Sequence, residues 1–250
     1  SSKYVIGSVG PGTKLITLLQ IDYKTLYQSY YTQMKGLLLG GVDVILIETC
    51  QDINQVKIAV RAAKKAMNEV NKQVPIWTQV TIETSGTMLV GSDIQSALTA
   101  IECLGVDVLG MNCATGPDEM RQHIAYLAEA SPFALSVLPN AGLPQNVSGK
   151  TVYPLGPVDF ATKVITMAKD FSLNVIGGCC GTTPEHIKEL VNQASSLNPG
   201  IRKGKYERSV SSLYTSVPLD LEPKPLYVGE RTNANGSKKF RDLLALNDFD

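Results

Sequence analysis

Six times between residues 4 and 197 a short apolar run gives way to a stretch whose apolar residues recur at helical spacing. That recurrence limits the possible folds more than any other feature. The runs are Tyr4 to Val9, Val42 to Ile47, Val74 to Ile82, Val106 to Met111, Phe133 to Leu138 and Leu173 to Ile176. They are too evenly apolar for strands with one wet face, which predicts a parallel sheet covered by the intervening helices. Helices are expected over 26–39, 54–71, 93–104, up to 130, over 158–170 and ending near 197. In the second of these Val56, Val60, Ala63 and Met67 share a face, and Asp93 is placed to cap the third. Between the fifth run and its helix lies a proline- and glycine-rich loop, Pro139 to Pro157.

Residues able to do chemistry collect at the carboxyl ends of the runs: Glu48, Cys113, Asn140, Cys179 and Cys180. In a (β/α)8 barrel that is the face where function sits, and residues at the opposite ends, such as Asp43 and Asp107, serve stability as turn formers. A doubly wound open sheet is the rival. Its phosphate loop is missing, because in GSVGPGTK, Gly7 to Lys14, a threonine separates Gly12 from Lys14. The expected fold is therefore α/β, a TIM barrel lacking its first two strand–helix units.

Two strand ends share a grammar. Asn174 to Glu189 reads NVIGGCCGTTPEHIKE: a strand end, two glycines for close backbone approach, two cysteines, then a helix start. Thr182 and Glu185 fit a capping box, with Pro184 in the first turn. Asn112 to Glu119 reads NCATGPDE and again sets a thiol before a proline-led, acidic helix start. Three thiols on two such ends can converge on one ion, although adjacent cysteines also occur as buried apolar residues or a vicinal disulfide. Cys50, two residues past Glu48, is expected near the same face, with joining the site left as the lesser alternative, and Cys103 is expected in the core. His123 and His186 fit surface or capping roles, and Asp118, Glu119 and Glu185 favourable charges at helix N-termini.

Composition adds exclusions. With 250 residues, 44% of them hydrophobic, the chain can build one large domain. Its 23 basic and 23 acidic residues cancel, which argues against nucleic acid or an anionic membrane as partner. No apolar run approaches the ~18 residues of a membrane span. Five unevenly spaced cysteines without an export signal read as thiols of a cytoplasmic protein. Residues 1–198 are expected to form the barrel and 199–225 a linker. In 226–250 a new strand, a loop and a helix, Lys238 to Leu246, begin a second domain too short to bury a core. The chain reads as a fragment cut at both ends.

The pairing of NCATGPDE with GGCCGTTPEHI resembles the zinc-dependent homocysteine S-methyltransferases, as do ILIETCQD around Glu48, GPG near the start, and PNAGLP from Pro139 to Pro144. VGERTNANGSKKF, Val228 to Phe240, resembles the opening of the pterin-binding domain that follows the homocysteine domain in cobalamin-dependent methionine synthases. The resemblance implies that Cys113, Cys179 and Cys180 hold zinc and leave one exchangeable position. A free thiol, with a pKa of about 8.5, is mostly protonated at neutral pH, and binding to zinc removes that proton. It further implies Asn140 as a displaceable fourth ligand and Glu48 as the carboxylate that binds the substrate's amino group. The reaction implied is methylation of homocysteine to methionine. Methylcobalamin would be carried by another module of the same polypeptide and recharged from 5-methyltetrahydrofolate on a folate-binding domain. Betaine- or S-methylmethionine-dependent enzymes share the first part of the resemblance and lack the second. The family's Asp-Gly first strand, which serves the substrate carboxylate, has no counterpart in this sequence. A non-catalytic zinc-binding remnant is therefore the reading from a different class.

Overall fold

The computed structural model describes residues 3–198, 200–227 and 233–248. The chain divides into two units, 1–217 and 218–250. In the first, strand and helix alternate as β1 (Ile6–Val9), α1 (Tyr23–Leu39), β2 (Val44–Cys50), α2 (Ile53–Val70), β3 (Ile76–Val80), α3 (Ile94–Glu102), β4 (Val108–Asn112), α4 (Pro117–Ala130) and β5 (Ala134–Leu138). A small hairpin, β6 (Gln145–Val147) and β7 (Lys150–Val152), then interrupts the repeat before α5 (Pro157–Phe171), β8 (Val175–Ile176) and α6 (Pro184–Ala194).

The six main strands form one parallel sheet in the order β1-β2-β3-β4-β5-β8, so each strand pairs with the next along the chain. The curled sheet and its helices are a partial TIM barrel, as the repeat implied. The inner strands are buried on both faces, β4 along its whole length. The end strands are less covered, with β1 alternating exposed and buried residues and β8 half-buried.

Aspartates start three helices. Asp22 accepts the Thr25 N–H, Asp52 that of Asn54 and Asp93 that of Ser96. The helix start after the paired cysteines lies one residue later than its sequence suggests. Thr182 Oγ1 is used in donating to the Cys179 carbonyl at 2.7 Å. Thr183 becomes the N-cap with Pro184 next, and the Thr183 N–H donates to His186 Nδ1 in place of a Thr182–Glu185 box. Cys103 also departs from expectation. The buried stripe of α3 includes Ile94, Ala97, Leu98 and Ile101, and Cys103, two positions on, is turned ~200° from Ile101 and is exposed as the C-cap.

At the amino-terminal ends of the strands, Asp43 Oδ2 accepts the Val5 N–H at 2.7 Å and Asp107 Oδ2 the Ile76 N–H at 2.8 Å, so these residues, expected as turn formers, tie neighbouring strand starts together. Residues 200–217, the first part of the stretch read as a linker, belong to the first unit. Arg202 donates there to the carbonyls of Leu127, Ala128, Ser131, Phe133 and Phe171. Further on, β9 (Ser209–Ser211) and β10 (Ser216–Pro218) form a two-stranded ribbon.

In the second unit Ser237 caps α7 (Lys238–Ala245), close to the expected helix, and no residue of α7 is buried. Most of the strand expected at 226–230 and of the GERTN motif lies outside the described residues. Among the described residues no helix is long and apolar enough to cross a membrane.

Candidate metal centre

The end of β4 and the loop after β8 deliver the three cysteines to one point. Among the described residues, Cys113, Cys179 and Cys180 form a group whose ligand atoms all lie within 4.8 Å of one another. The Cys113 and Cys180 sulfurs are 3.7 Å apart and those of Cys179 and Cys180 3.9 Å. A disulfide requires ~2.05 Å, so these are separate thiols. Three sulfurs each ~2.3 Å from one tetrahedral zinc stand ~3.8 Å from one another. The donor set and its spacing fit a thiolate-bound zinc ion.

Backbone conformation makes this convergence possible. Cys113 and Ala114 both take left-handed dihedrals, φ 63° and 60°, which turn the chain sharply at the end of β4 and cost of order 1 kcal/mol each. A hydrogen-bond ladder ties this turn to the neighbouring strand ends. Cys113 N–H donates to Leu138 O, Cys179 N–H to Pro139 O and Ala141 N–H to Cys180 O, at 3.3, 2.8 and 2.9 Å. The glycines around the paired cysteines are required by close approach. A Cβ on Gly178 would lie 2.4 Å from Thr182 Cγ2. At Gly181, with φ 79°, it would lie 2.2 Å from the ring of Tyr153, which packs directly on that backbone.

The thiols perturb one another. A hydrogen bond from Cys179 pulls Cys113 down to about 5 against the effect of burial, with Cys180 and Asn140 also contributing. The same contact, reinforced by burial and by the neighbouring charges, pushes Cys179 well up. Three sulfurs this close cannot all ionise without a cation among them, a charge that a divalent metal would supply. Tyr153, whose ring borders the cluster, is raised by burial and by the adjacent Cys180.

Asn140 is buried beside the cluster, and its Oδ1 accepts the Cys180 N–H at 3.0 Å. An amide oxygen has two lone pairs, so one remains. Glu48, at the end of β2, accepts from Ser8 Oγ and, at 3.4 Å, from Asn112 Nδ2. Asn112 Nδ2 is also 3.8 Å from Cys179 Sγ, so a single side chain links Glu48 to the cysteines. Sequence patterns single out neither Ser8 nor Asn112. The alternation in β1 gives Ser8 no distinction, and Asn112 reads as the residue before a cysteine.

The other possible ligands do not join the cluster. Cys50 is fully buried, directed at the Glu48 carbonyl, and pushed up to about 12 by burial and then by Asp52 and Glu48. His186 is buried with Nε2 2.9 Å from the Leu155 carbonyl, so Nε2 bears the proton and Nδ1 accepts from Thr183. His123 is half-buried beside Gln122, and burial lowers its pKa.

A partial TIM barrel carrying a three-thiol cluster at its strand ends defines a narrow class. The homocysteine S-methyltransferase family model matches residues 1–194, and the chain belongs to that family. It is 46% identical over 252 residues to a methionine synthase of Mycobacterium leprae (strain TN). It is 47% identical over 247 residues to the methionine synthase of Mycobacterium tuberculosis (strain ATCC 25618 / H37Rv). Each alignment takes in 99% of this chain and 21% of the relative, so the chain spans about a fifth of the length of these curated proteins. Among solved structures, the Escherichia coli homocysteine methyltransferase MmuM matches in its apo and metallated forms, both with TM-score 0.59 and 20% identity. These matches cover 76% and 77% of this chain, and 63% and 61% of MmuM, and they support the fold.

Proposed function

We propose that this chain is the homocysteine-binding module of a cobalamin-dependent methionine synthase and transfers a methyl group to homocysteine to give methionine. Residues 1–198 would form the homocysteine barrel and 226–250 the start of a pterin-binding domain, joined by 199–225, of which 200–217 fold with the first unit. The observation that carries the reading is the convergence of Cys113, Cys179 and Cys180 at sulfur separations of 3.7 and 3.9 Å, in a chain of this family.

The three cysteines would hold zinc, which when bound strips the proton from the homocysteine thiol and keeps the sulfur nucleophilic. Glu48 lies at the next strand end but one from Cys113 and would take the substrate's ammonium group, with Ser8 fixing one carboxylate oxygen. Asn140, anchored by the Cys180 N–H, would offer its second lone pair as a weak ligand that yields to substrate. Cobalamin and methyltetrahydrofolate would be carried by other modules of a longer polypeptide, in keeping with relatives about five times the length of this chain.

The test is methylation of homocysteine by the zinc-loaded protein with free methylcobalamin, betaine or S-methylmethionine as donor. Methionine formed only from methylcobalamin is expected. Turnover from betaine without cobalamin would transfer the assignment to the direct-donor enzymes, and failure to bind homocysteine at all would leave a non-catalytic zinc-binding chain.

A further inference from the structure

Asn112, the last residue of β4, is fully buried, and its side-chain amide reaches Thr49, Glu48 and Cys179. Its amide extends past the end of β3 to β2, the strand on β3's other side. Asn112 Oδ1 accepts the Thr49 N–H at 2.7 Å, and Nδ2 donates to Thr49 Oγ1 at 2.8 Å. Thr49 itself is left-handed, φ 58°. An amide nitrogen carries two hydrogens. One is used on Thr49, and Nδ2 also lies 3.4 Å from Glu48 Oε2 and 3.8 Å from Cys179 Sγ.

We infer that Asn112 is a positioning residue that sets the distance between the Glu48 carboxylate and the cysteine cluster, and with it the length of aminothiol the site accepts. The inference rests on the proposed function, in which Glu48 holds the substrate's amino group and the cluster its sulfur. Both Glu48 and a metal-bound Cys179 are anionic and repel each other in a partly buried site. An uncharged donor between them offsets that repulsion without neutralising Glu48. A lysine would pair with Glu48 and repel the incoming ammonium. An aspartate of the same shape would have no donor and would add a third negative charge. The amide also closes the Thr49 turn that aims Glu48, so the carboxylate and the sulfur are referred to one rigid side chain.

The experiment measures homocysteine and cysteine binding to the zinc-loaded protein by calorimetry, with zinc content determined alongside. Cysteine is shorter than homocysteine by one methylene. The variants are Asn112→Asp and Asn112→Ser, each alone and on a Glu48→Gln background. Asn112→Asp is expected to keep its zinc, bind homocysteine at least ~10-fold more weakly and discriminate less against cysteine. On the Glu48→Gln background that loss should largely vanish, because Asn112 acts through the carboxylate. Unchanged affinity, or the same loss on both backgrounds, would reduce Asn112 to a strut and overturn the inference. If Asn112→Asp does not fold, Asn112→Ser carries the same comparison. Wild-type protein that does not bind homocysteine would overturn the proposed function instead, before any variant is compared.

Discussion

At the amino-terminal ends of the strands polar groups are spent on one another. Asp43 and Asp107 each take the N–H of a neighbouring strand, and the Arg202 guanidinium satisfies carbonyls at the ends of α4 and α5 and before β5. At the carboxyl ends three thiols crowd together and Thr49, Cys113 and Ala114 turn left-handed at the strand ends themselves, whereas the left-handed Asn71 and Ser172 at the opposite end are helix C-caps. One end closes its hydrogen bonds and holds the barrel together. The other gathers thiols, a carboxylate and amide side chains around a common point on strained turns, the pattern of a site maintained at the expense of local stability.

Substitutions at the two ends should therefore separate. Cys180→Ala removes a third of the thiol set and is expected to lower zinc affinity by more than a hundredfold while leaving the metal-free fold nearly as stable, as zinc titration and urea denaturation would show. Arg202→Ala is expected to do the reverse. Losing charged hydrogen bonds to buried carbonyls should cost about 2–3 kcal/mol in urea denaturation, with zinc stoichiometry unchanged. A Cys180 variant that unfolds, or an Arg202 variant that loses zinc, would erase the distinction. Glu48→Ala should keep zinc and weaken homocysteine binding by about tenfold or more, the loss of a charge-assisted contact. Equal affinity would remove Glu48 from the site. The smallest effect is on pH. Cys179 is raised by its neighbours and holds its proton at neutral pH, so zinc must displace that proton and affinity should rise with pH, by about tenfold per unit for each proton released. Calorimetry in buffers of different ionisation enthalpy would detect the proton, and a pH-independent affinity would contradict the coupling.

Much of this was legible in the sequence because parallel strands and their ends announce themselves. Apolar runs such as Val42 to Ile47 marked the sheet, and GGCCGTTPE and NCATGPDE marked the loops that carry the thiols. What escaped depended on side chains reaching across strands. Asn112 reaches Glu48 and Cys179 across strands, beside a left-handed Thr49, and a lone arginine in a polar stretch gives no sign that it will gather distant carbonyls. Cys103, expected in the core, is exposed at the C-cap two positions past the buried Ile101, and the helix after the paired cysteines starts one residue later than expected. At that scale a helix turns a side chain from core to solvent, and Thr182 is diverted to the Cys179 carbonyl.

The most direct measurement is zinc per chain by elemental analysis, on the protein and on its Cys113→Ala variant. Cys113 lies on a different strand end from Cys179 and Cys180, so its contribution reports whether the two ends meet around one ion. About one equivalent in the protein, falling sharply in the variant, is the expected result. A folded protein that carries no zinc, or one whose zinc is indifferent to Cys113, would contradict the metal centre and the chemistry built on it.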